Sequence, residues 1–504
     1  MKKYIRKSTT EKVKVCVIKA SAKSEFKDYK KSMLGLPQNI FSLAACTPDY
    51  VTLQMVDETV GVKVDFQTQA DIVMIMFHTP DAIRAYELAD KFKAKGKTVV
   101  LGGLHTSFMS QEALSHAHAI LVGECEGIWE ELLEDYLNGQ LKSKYERDFV
   151  FDLKDLKPYP TDILPTELYD YSWTVTVSRG CPNKCSYCTV HKFFPSYRKR
   201  PIADIVEEIK NAPTDFIELK ADNLTIDRNY CLELFKALEP LDIIWMTALE
   251  PEFAEDKELV DAAAKSGMRV VLLGIETPSR EALKDNNKGH LALEKVKEQI
   301  AYLHDLDVEV DSAMLFGFDE HDKTIFAETL EYALDIDLDI THGVVPIPFP
   351  GTELYKSLSE AGRIETRDWS KYDGTRLVFK HPNFTDKELY EKTYWYEKEF
   401  IKRHKKRDFK WKHRWDNKPV KTKSTQPIKW KTISAILLVI GAILFEMPML
   451  FGLLYIFWAI LDIKTGHAYI IEDISRHDNP ILFWIIVILW MSSGFYILVE
   501  NLLF

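Results

Sequence analysis

The stretch Ser178-Arg-Gly-Cys181-Pro-Asn-Lys-Cys185-Ser-Tyr-Cys188 gathers three of the chain's seven cysteines into eight residues, just past a tight Gly-Cys-Pro turn. Thiolates this close together are the ligand set of a soft metal or an iron–sulfur cluster. A structural zinc site closes with four ligands, and the nearest further donor is His191. The residues alone therefore leave two chemistries open: a Cys3His zinc site, or a cluster with one iron held open for a substrate or cofactor. Seven cysteines, three of them clustered, in 504 residues do not form the pattern of a disulfide scaffold. The expected setting is a reducing cytoplasm, where a cluster survives. Cys16, Cys46, Cys125 and Cys231 are expected to be buried thiols.

The elements that must position this loop can be read from the pattern around it. Trp173–Ser178, alternating and β-branched, predicts a strand that delivers the loop at its end. Five further strands follow, at Phe216–Lys220, Ile243–Thr247, Arg269–Ile275, Val308–Phe316 and Ile340–Val345, with helical patterns between them. Six strand–helix repeats predict a (βα)6 partial barrel, whose functional groups belong at the C-terminal ends of strands. Those ends read Ala221-Asp222-Asn223, Thr247, Gly274-Ile-Glu276-Thr277, Phe316-Gly-Phe-Asp319 and Pro348-Phe-Pro-Gly-Thr352. Upstream, Val13–Lys19, Val51–Val56, Asp71–Phe77, Lys97–Leu101 and Ala119–Val122 read as strands, alternating with helices at Asn39–Ala45, Asp81–Lys95 and Gly127–Leu137. That alternation predicts an α/β, doubly wound parallel sheet, with ligands beyond its carboxyl ends. The loops there are His78-Thr79-Pro80, Gly102–Ser107 and Gly123–Gly127, rich in small residues and hydroxyls that let a flat or phosphorylated ligand approach the backbone. Lys157-Pro-Tyr-Pro160 and Pro165 mark the linker between the two sheets.

The Cys-x3-Cys-x2-Cys spacing, with Tyr187 before the last cysteine, resembles the signature of the radical S-adenosylmethionine (SAM) enzymes. The resemblance implies that Cys181, Cys185 and Cys188 hold three irons of a 4Fe–4S cluster and that SAM chelates the fourth. It further implies Tyr187, Asp222 or Asn223, Glu276 and Gly317 as SAM contacts, with Tyr187 against the adenine. Residues 13–145 resemble the cobalamin-binding domain that precedes many such cores, through Val99-Val-Leu-Gly-Gly-Leu-His105 and Val122-Gly-Glu-Cys-Glu-Gly127. Thr79, Gly102, Gly103, His105, Gly123 and Glu124 are the cobalamin contacts this implies. The Asp-x-His-x-x-Gly motif is missing after the first strand, so that loop supplies no axial histidine. Trp369–Gly374 and the helical Asp386–Arg403 resemble the C-terminal cap of the same subgroup. The implied activity is generation of a 5′-deoxyadenosyl radical followed by methylation of an unactivated carbon by cobalamin, with a donor such as flavodoxin or ferredoxin supplying electrons. Radical cyclisation, C–C coupling or rearrangement on the same scaffold is one alternative. A non-catalytic membrane-bound redox or cobalamin sensor is the other. The scheme requires no protein acid or base, and none is assigned.

Composition sets the partners. Residues 402–431 carry 13 Lys/Arg against two acidic residues, while the body before them sums to about −18 of a net −11. An acidic body excludes nucleic acid as the main partner, since a backbone reader needs a basic surface. The start, Met1-Lys-Lys-Tyr-Ile-Arg-Lys, lacks the apolar stretch of a signal peptide. Ile433–Leu461, interrupted at Glu446 and Pro448, and Ile481–Val499 are apolar enough to reach the ~20 residues a membrane span needs. The basic run before them orients the body to the cytoplasm. The expected organisation is a cobalamin-binding-like domain at 1–150, a radical SAM core with cap at 151–400, a basic linker at 401–432 and transmembrane segments at 433–504. The chain is expected to be multi-pass in the cell membrane, acting from the cytoplasmic side on a lipid or other hydrophobic substrate.

Overall fold

A computed structural model describes residues 4–8, 10–22, 37–147, 150–161, 163, 172–412, 449–465, 467–469, 473–475 and 480–503. They fall into two compact units, 1–422 and 423–504. The first unit holds two parallel sheets.

The N-terminal sheet is built from β1 (Tyr4–Arg6), β2 (Val13–Lys19), β3 (Val51–Asp57), β4 (Ile72–Met76), β5 (Thr98–Gly102), β6 (Ala119–Val122) and β7 (Lys144–Glu146). Its order is β1-β3-β2-β4-β5-β6-β7, parallel except for β1. The five expected strands are all present within a residue or two. β4 is buried along its whole length, because helices cover both faces of the sheet, and so reads as a continuous apolar run. The two edge strands were not legible in advance: three residues are too short to display a period of two. Strand order reverses between β2 and β4, so the crevice of this sheet opens between the loops that follow them.

The second sheet begins with β8 (Trp173–Thr176). A two-residue strand, β9 (Ser178–Arg179), pairs antiparallel with β10 (Arg198–Lys199) beside the cysteine loop. Then come β11 (Phe216–Lys220), β12 (Ile244–Leu249), β13 (Met268–Leu273), β14 (Glu309–Leu315) and β15 (Ile340–Val344). The order β15-β14-β13-β12-β11-β8 is parallel throughout and follows the chain, as a (βα)6 partial barrel requires.

The cap closes the barrel's open edge. The helix Asp386–Arg403 starts on a capping box, Thr385 with Glu388. It lies against β15, where the Tyr396 and Thr341 hydroxyls are 2.9 Å apart and Glu397 accepts from the Gly343 amide at 3.0 Å. Trp369, 3% exposed, donates its indole N–H to Glu112 of the N-terminal sheet's helices at 2.7 Å, tying cap to first sheet. The following segment runs to the opposite end of the barrel. Asp307, in the turn before β14, accepts from the amides of Lys410 and Trp411 at 2.9 and 3.0 Å, and Lys412 pairs with Glu309 at 2.7 Å.

The second unit consists of the helices Met449–Thr465 and Pro480–Leu503, joined through a short ladder of His467–Tyr469 with Asp473–Ser475. Gly452 and Gly494 face each other so closely that a Cβ on Gly452 would stand 2.8 Å from the Gly494 carbonyl oxygen. Small residues at a crossing allow this backbone approach. Among the described residues one helix, Leu482–Glu500, is long and apolar enough to cross a membrane; the apolar part of its neighbour is Phe451–Ile460. Residues 413–448, which contain most of the basic run and the first half of the expected first span, lie outside the described residues. Two spans were expected, and one helix meets the criterion.

Candidate functional site

The cysteine loop is held from both sides. Gly180 turns the chain at φ 91°, and a Cβ there would collide with the Ser196 carbonyl. The Gly180 amide donates to Asp222 at 2.7 Å, and the Asn223 side-chain amide lies 3.9 Å from the Cys181 sulfur. Across the loop, Ser186 donates to the Asn286 side chain at 2.5 Å, and its carbonyl accepts from the Leu354 amide at 2.9 Å. Asn287 donates to the Lys184 carbonyl at 3.1 Å. Asp222 and Asn223 therefore meet the loop itself, one at its turn and one at its first cysteine.

The three thiols are free. Burial pushes the Cys185 thiol up to about 12, and burial also raises Cys181 and Cys188. Such thiols ionise when a metal takes the sulfur, so the donor set is one that a cluster would charge rather than find charged. Among the described residues, the group of three ligand atoms lying within 4.8 Å of one another is Glu250, Glu252 and His290, not the three sulfurs. Three free thiols on one loop are a donor set for a soft metal centre.

Beside Cys185 lies a buried ion triad that sequence inspection missed. Lys288, 2% exposed, pairs with Glu276 at 2.7 Å and Glu250 at 3.1 Å. Burial alone would lower the lysine's pKa, but the two carboxylates outweigh it and raise the value. Glu276, three residues past β13, is in the left-handed region at φ 67°, its carbonyl held by the Leu315 amide at 2.6 Å. A non-glycine residue kept there by its surroundings points to function. Lys288 sits in Asn286-Asn287-Lys288-Gly289, which has the composition of a solvated turn, so nothing in the sequence announced it.

Tyr187 packs against Phe318, ring centroids 5.7 Å apart, with Ala282 and Leu315 nearby. Burial raises its phenol. Gly317, at φ 111°, lies next to this cluster, and its amide donates to His321 at 3.3 Å.

Between the carboxyl ends of the two sheets is a cavity of about 560 Å³. His78, Gly103, Gly123 and Glu124 reach it from the first sheet, and Ser178, Arg179, Lys220 and Asp222 from the second. Gly103 is essential to this wall: at φ 109°, a Cβ on it would collide with the Phe77 carbonyl. The remaining expected cobalamin contacts lie behind the wall. His105, fully buried, has Nδ1 3.1 Å from the Thr79 hydroxyl and Nε2 3.5 Å from Glu112. Thr79, Gly102 and His105 do not line the cavity. A glycine-walled, half-open cleft at a switch point fits a flat macrocycle.

One charged network joins the cavity to the cysteine loop. Arg179 pairs with Glu124 at 2.5 Å and Glu126 at 2.7 Å, and Arg198 pairs with Glu124 at 2.9 Å. These side chains are 6–12% exposed. Burial alone would raise Glu126, but Arg179 outweighs it and holds the carboxyl below its usual range. Between these carboxylates Cys125 turns towards Cys46, sulfurs 3.9 Å apart.

Residues 175–333 match the model of the radical SAM superfamily. The chain is 31% identical to bacteriochlorophyllide d C-8(2)-methyltransferase of Chlorobaculum tepidum, over 68% of this chain and 80% of that protein. It is 27% identical to the C-12(1)-methyltransferase of the same organism, over 71% and 81%. Among solved structures, its fold is similar to the radical SAM methyltransferase TsrM from Kitasatospora setae, a structure with cobalamin and a [4Fe-4S] cluster bound. The TM-score is 0.57 at 13% identity, covering 69% of this chain and 75% of that one.

Proposed function

Since the chain belongs to the radical SAM superfamily, whose members use SAM and a 4Fe–4S cluster, we propose that it is a cobalamin-dependent C-methyltransferase. Its substrate is an unactivated carbon of a membrane lipid or isoprenoid-type molecule. The observation that carries this reading is the shared cavity: the loops of the first sheet and the strand that delivers the cysteines open into the same space. When bound, the cluster with SAM supplies a hydrogen-abstracting radical and cobalamin supplies a transferable methyl group.

The chain's own residues do the holding. Cys181, Cys185 and Cys188 would bind the cluster, with Asp222 and Asn223 setting the loop's turn and first sulfur. Glu276, oriented by Lys288, offers a carboxylate for the ammonium or ribose hydroxyls of SAM. Tyr187, packed on Phe318, would offer an apolar surface to adenine, with the Gly317 backbone adjoining Phe318. Gly103, Gly123 and Glu124 would line the corrin's side of the cavity. Loops of both sheets flank the cavity, and a bound cofactor and substrate would complete the shielding of a radical from water.

The substrate class rests on the second unit. Phe457, Trp458, Ile485, Ile488 and Phe495 are among the large apolar side chains exposed on its helices, a surface suited to lipid. The helix Leu482–Glu500 anchors the chain, its shorter neighbour packs along it, and the 13 basic residues of 402–431 keep the body on the cytoplasmic side. A flavodoxin or ferredoxin delivers the electrons. The names of the two relatives favour a second reading, a bacteriochlorophyllide-like ring as substrate.

Cells with and without the protein, fed methionine carrying a deuterated methyl group, separate these readings. Label in one lipid class, only when the protein is present, is the expected result. Label in a pigment fraction instead selects the ring substrate. A mass-neutral or dehydrogenated product selects cyclisation or rearrangement. SAM left uncleaved by cluster-loaded protein would sink the enzymatic reading in favour of a sensor.

A further inference from the structure

Two histidines stand in the loops of the first sheet, and the fold separates them. His105 is enclosed and engaged with Thr79 and Glu112. His78 follows β4, beside the point where strand order reverses, and is open to the cavity. Its backbone is fixed: the His78 carbonyl accepts from the Asp81 amide at 3.0 Å, starting the short turn Thr79–Asp81. Its side chain makes no hydrogen bond among the described residues.

Lys19 and Lys220 line the same cavity, and ammonium groups beside an imidazole disfavour its charged form. A neutral imidazole keeps a lone pair for a metal. Among the described residues lining the cavity, His78 is the only one with an imidazole, and the Cys125 thiol is turned to Cys46. The loop after β2 contains no histidine to compete.

We propose that His78 is a cobalt ligand, donating a ring-nitrogen lone pair to an axial position of cobalamin held in this cavity in place of the cofactor's own base. This rests on the cobalamin reading above and goes beyond it by assigning the metal's protein contact. Only a dative bond forms; it uses the neutral imidazole, and an imidazolium would first release its proton to solvent.

The test uses the full chain in detergent, loaded anaerobically with cob(II)alamin and read by electron paramagnetic resonance. In cob(II)alamin the unpaired electron points along the axial direction, so a bound nitrogen splits the cobalt lines. Protein grown on 15N-histidine should give two-line splitting, ordinary protein three-line splitting, and His78→Ala should lose the histidine splitting while retaining cobalamin. Three-line splitting in the 15N-histidine protein means that the cofactor's base is the ligand and overturns the proposal. So does bound cob(II)alamin without nitrogen splitting, or two-line splitting unchanged in His78→Ala. If the variant fails to fold, the labelled unaltered protein alone decides between histidine and the cofactor's base. If unaltered protein retains no cobalamin on gel filtration, the cobalamin reading itself falls, an outcome separate from bound cobalamin without a histidine ligand.

Discussion

The Arg179 network makes a prediction that depends on distances alone. Arg179 is two residues before Cys181 and bonds to carboxylates on either side of Cys125, so cysteine loop and cavity loop share one buried cation. Arg179→Met leaves Glu124 with Arg198, but removes from Glu126 the partner 2.7 Å away. Removing one partner of a buried pair costs about 3–5 kcal/mol, because the remaining charge stays desolvated. At the lower end this predicts about a hundredfold faster amide exchange in both loops, since about 1.4 kcal/mol is tenfold. Glu126→Gln removes the charge that would be stranded, so the double variant should recover about 1–3 kcal/mol relative to the sum of the single changes. Hydrogen–deuterium exchange on peptides covering 120–130 and 174–188, compared across the four proteins, reads this coupling. The reasoning fails if Arg179→Met accelerates only the peptide that carries it, or if the two changes add.

Three further outcomes are expected. Cys185→Ala should lose the brown iron–sulfur chromophore and 5′-deoxyadenosine formation together, as measured by absorbance and chromatography of anaerobically reconstituted protein; persistence of both would remove the cluster assignment. Lys288→Met leaves the partly buried Glu250 and Glu276 without their cation, and SAM affinity by equilibrium dialysis should weaken at least about tenfold with iron content unchanged, with Lys288→Arg recovering part of it. His321, 1% exposed, is lowered by burial and then by His381, from 6.5 to about 4. Between those values the unfolded chain binds a proton that the folded chain refuses, so stability is complete above pH 6.5 and falls by about 2 kcal/mol on going to pH 5. Urea titrations should show that slope flattened in His321→Gln, and an unchanged slope would assign the acid sensitivity elsewhere.

How far the sequence carried can be judged from particular residues. Strands of five to seven residues with apolar or β-branched cores were legible, because packing between two helical layers imposes that pattern. β1 and β7 were not, since an edge strand of three residues follows from its neighbour rather than from its own composition. The cysteine loop was legible because three thiols in eight residues have few other uses. Lys288 was not, and neither were Arg179's carboxylate partners, because a buried charge looks like a surface charge until its partners, distant in sequence, are brought to it. Loop composition also failed to separate His78 from His105; only the direction of each side chain at the sheet's carboxyl end does so.

The docking of Lys410, Trp411 and Lys412 beside Asp307 and Glu309 fastens the segment after the cap to the barrel's amino-terminal rim. The cofactor-binding loops follow the strands' carboxyl ends, whereas the chain leaves the described part of the body at the amino ends of β14 and β15. Changes at that rim can therefore alter how firmly this segment is held without touching the side chains at the carboxyl ends.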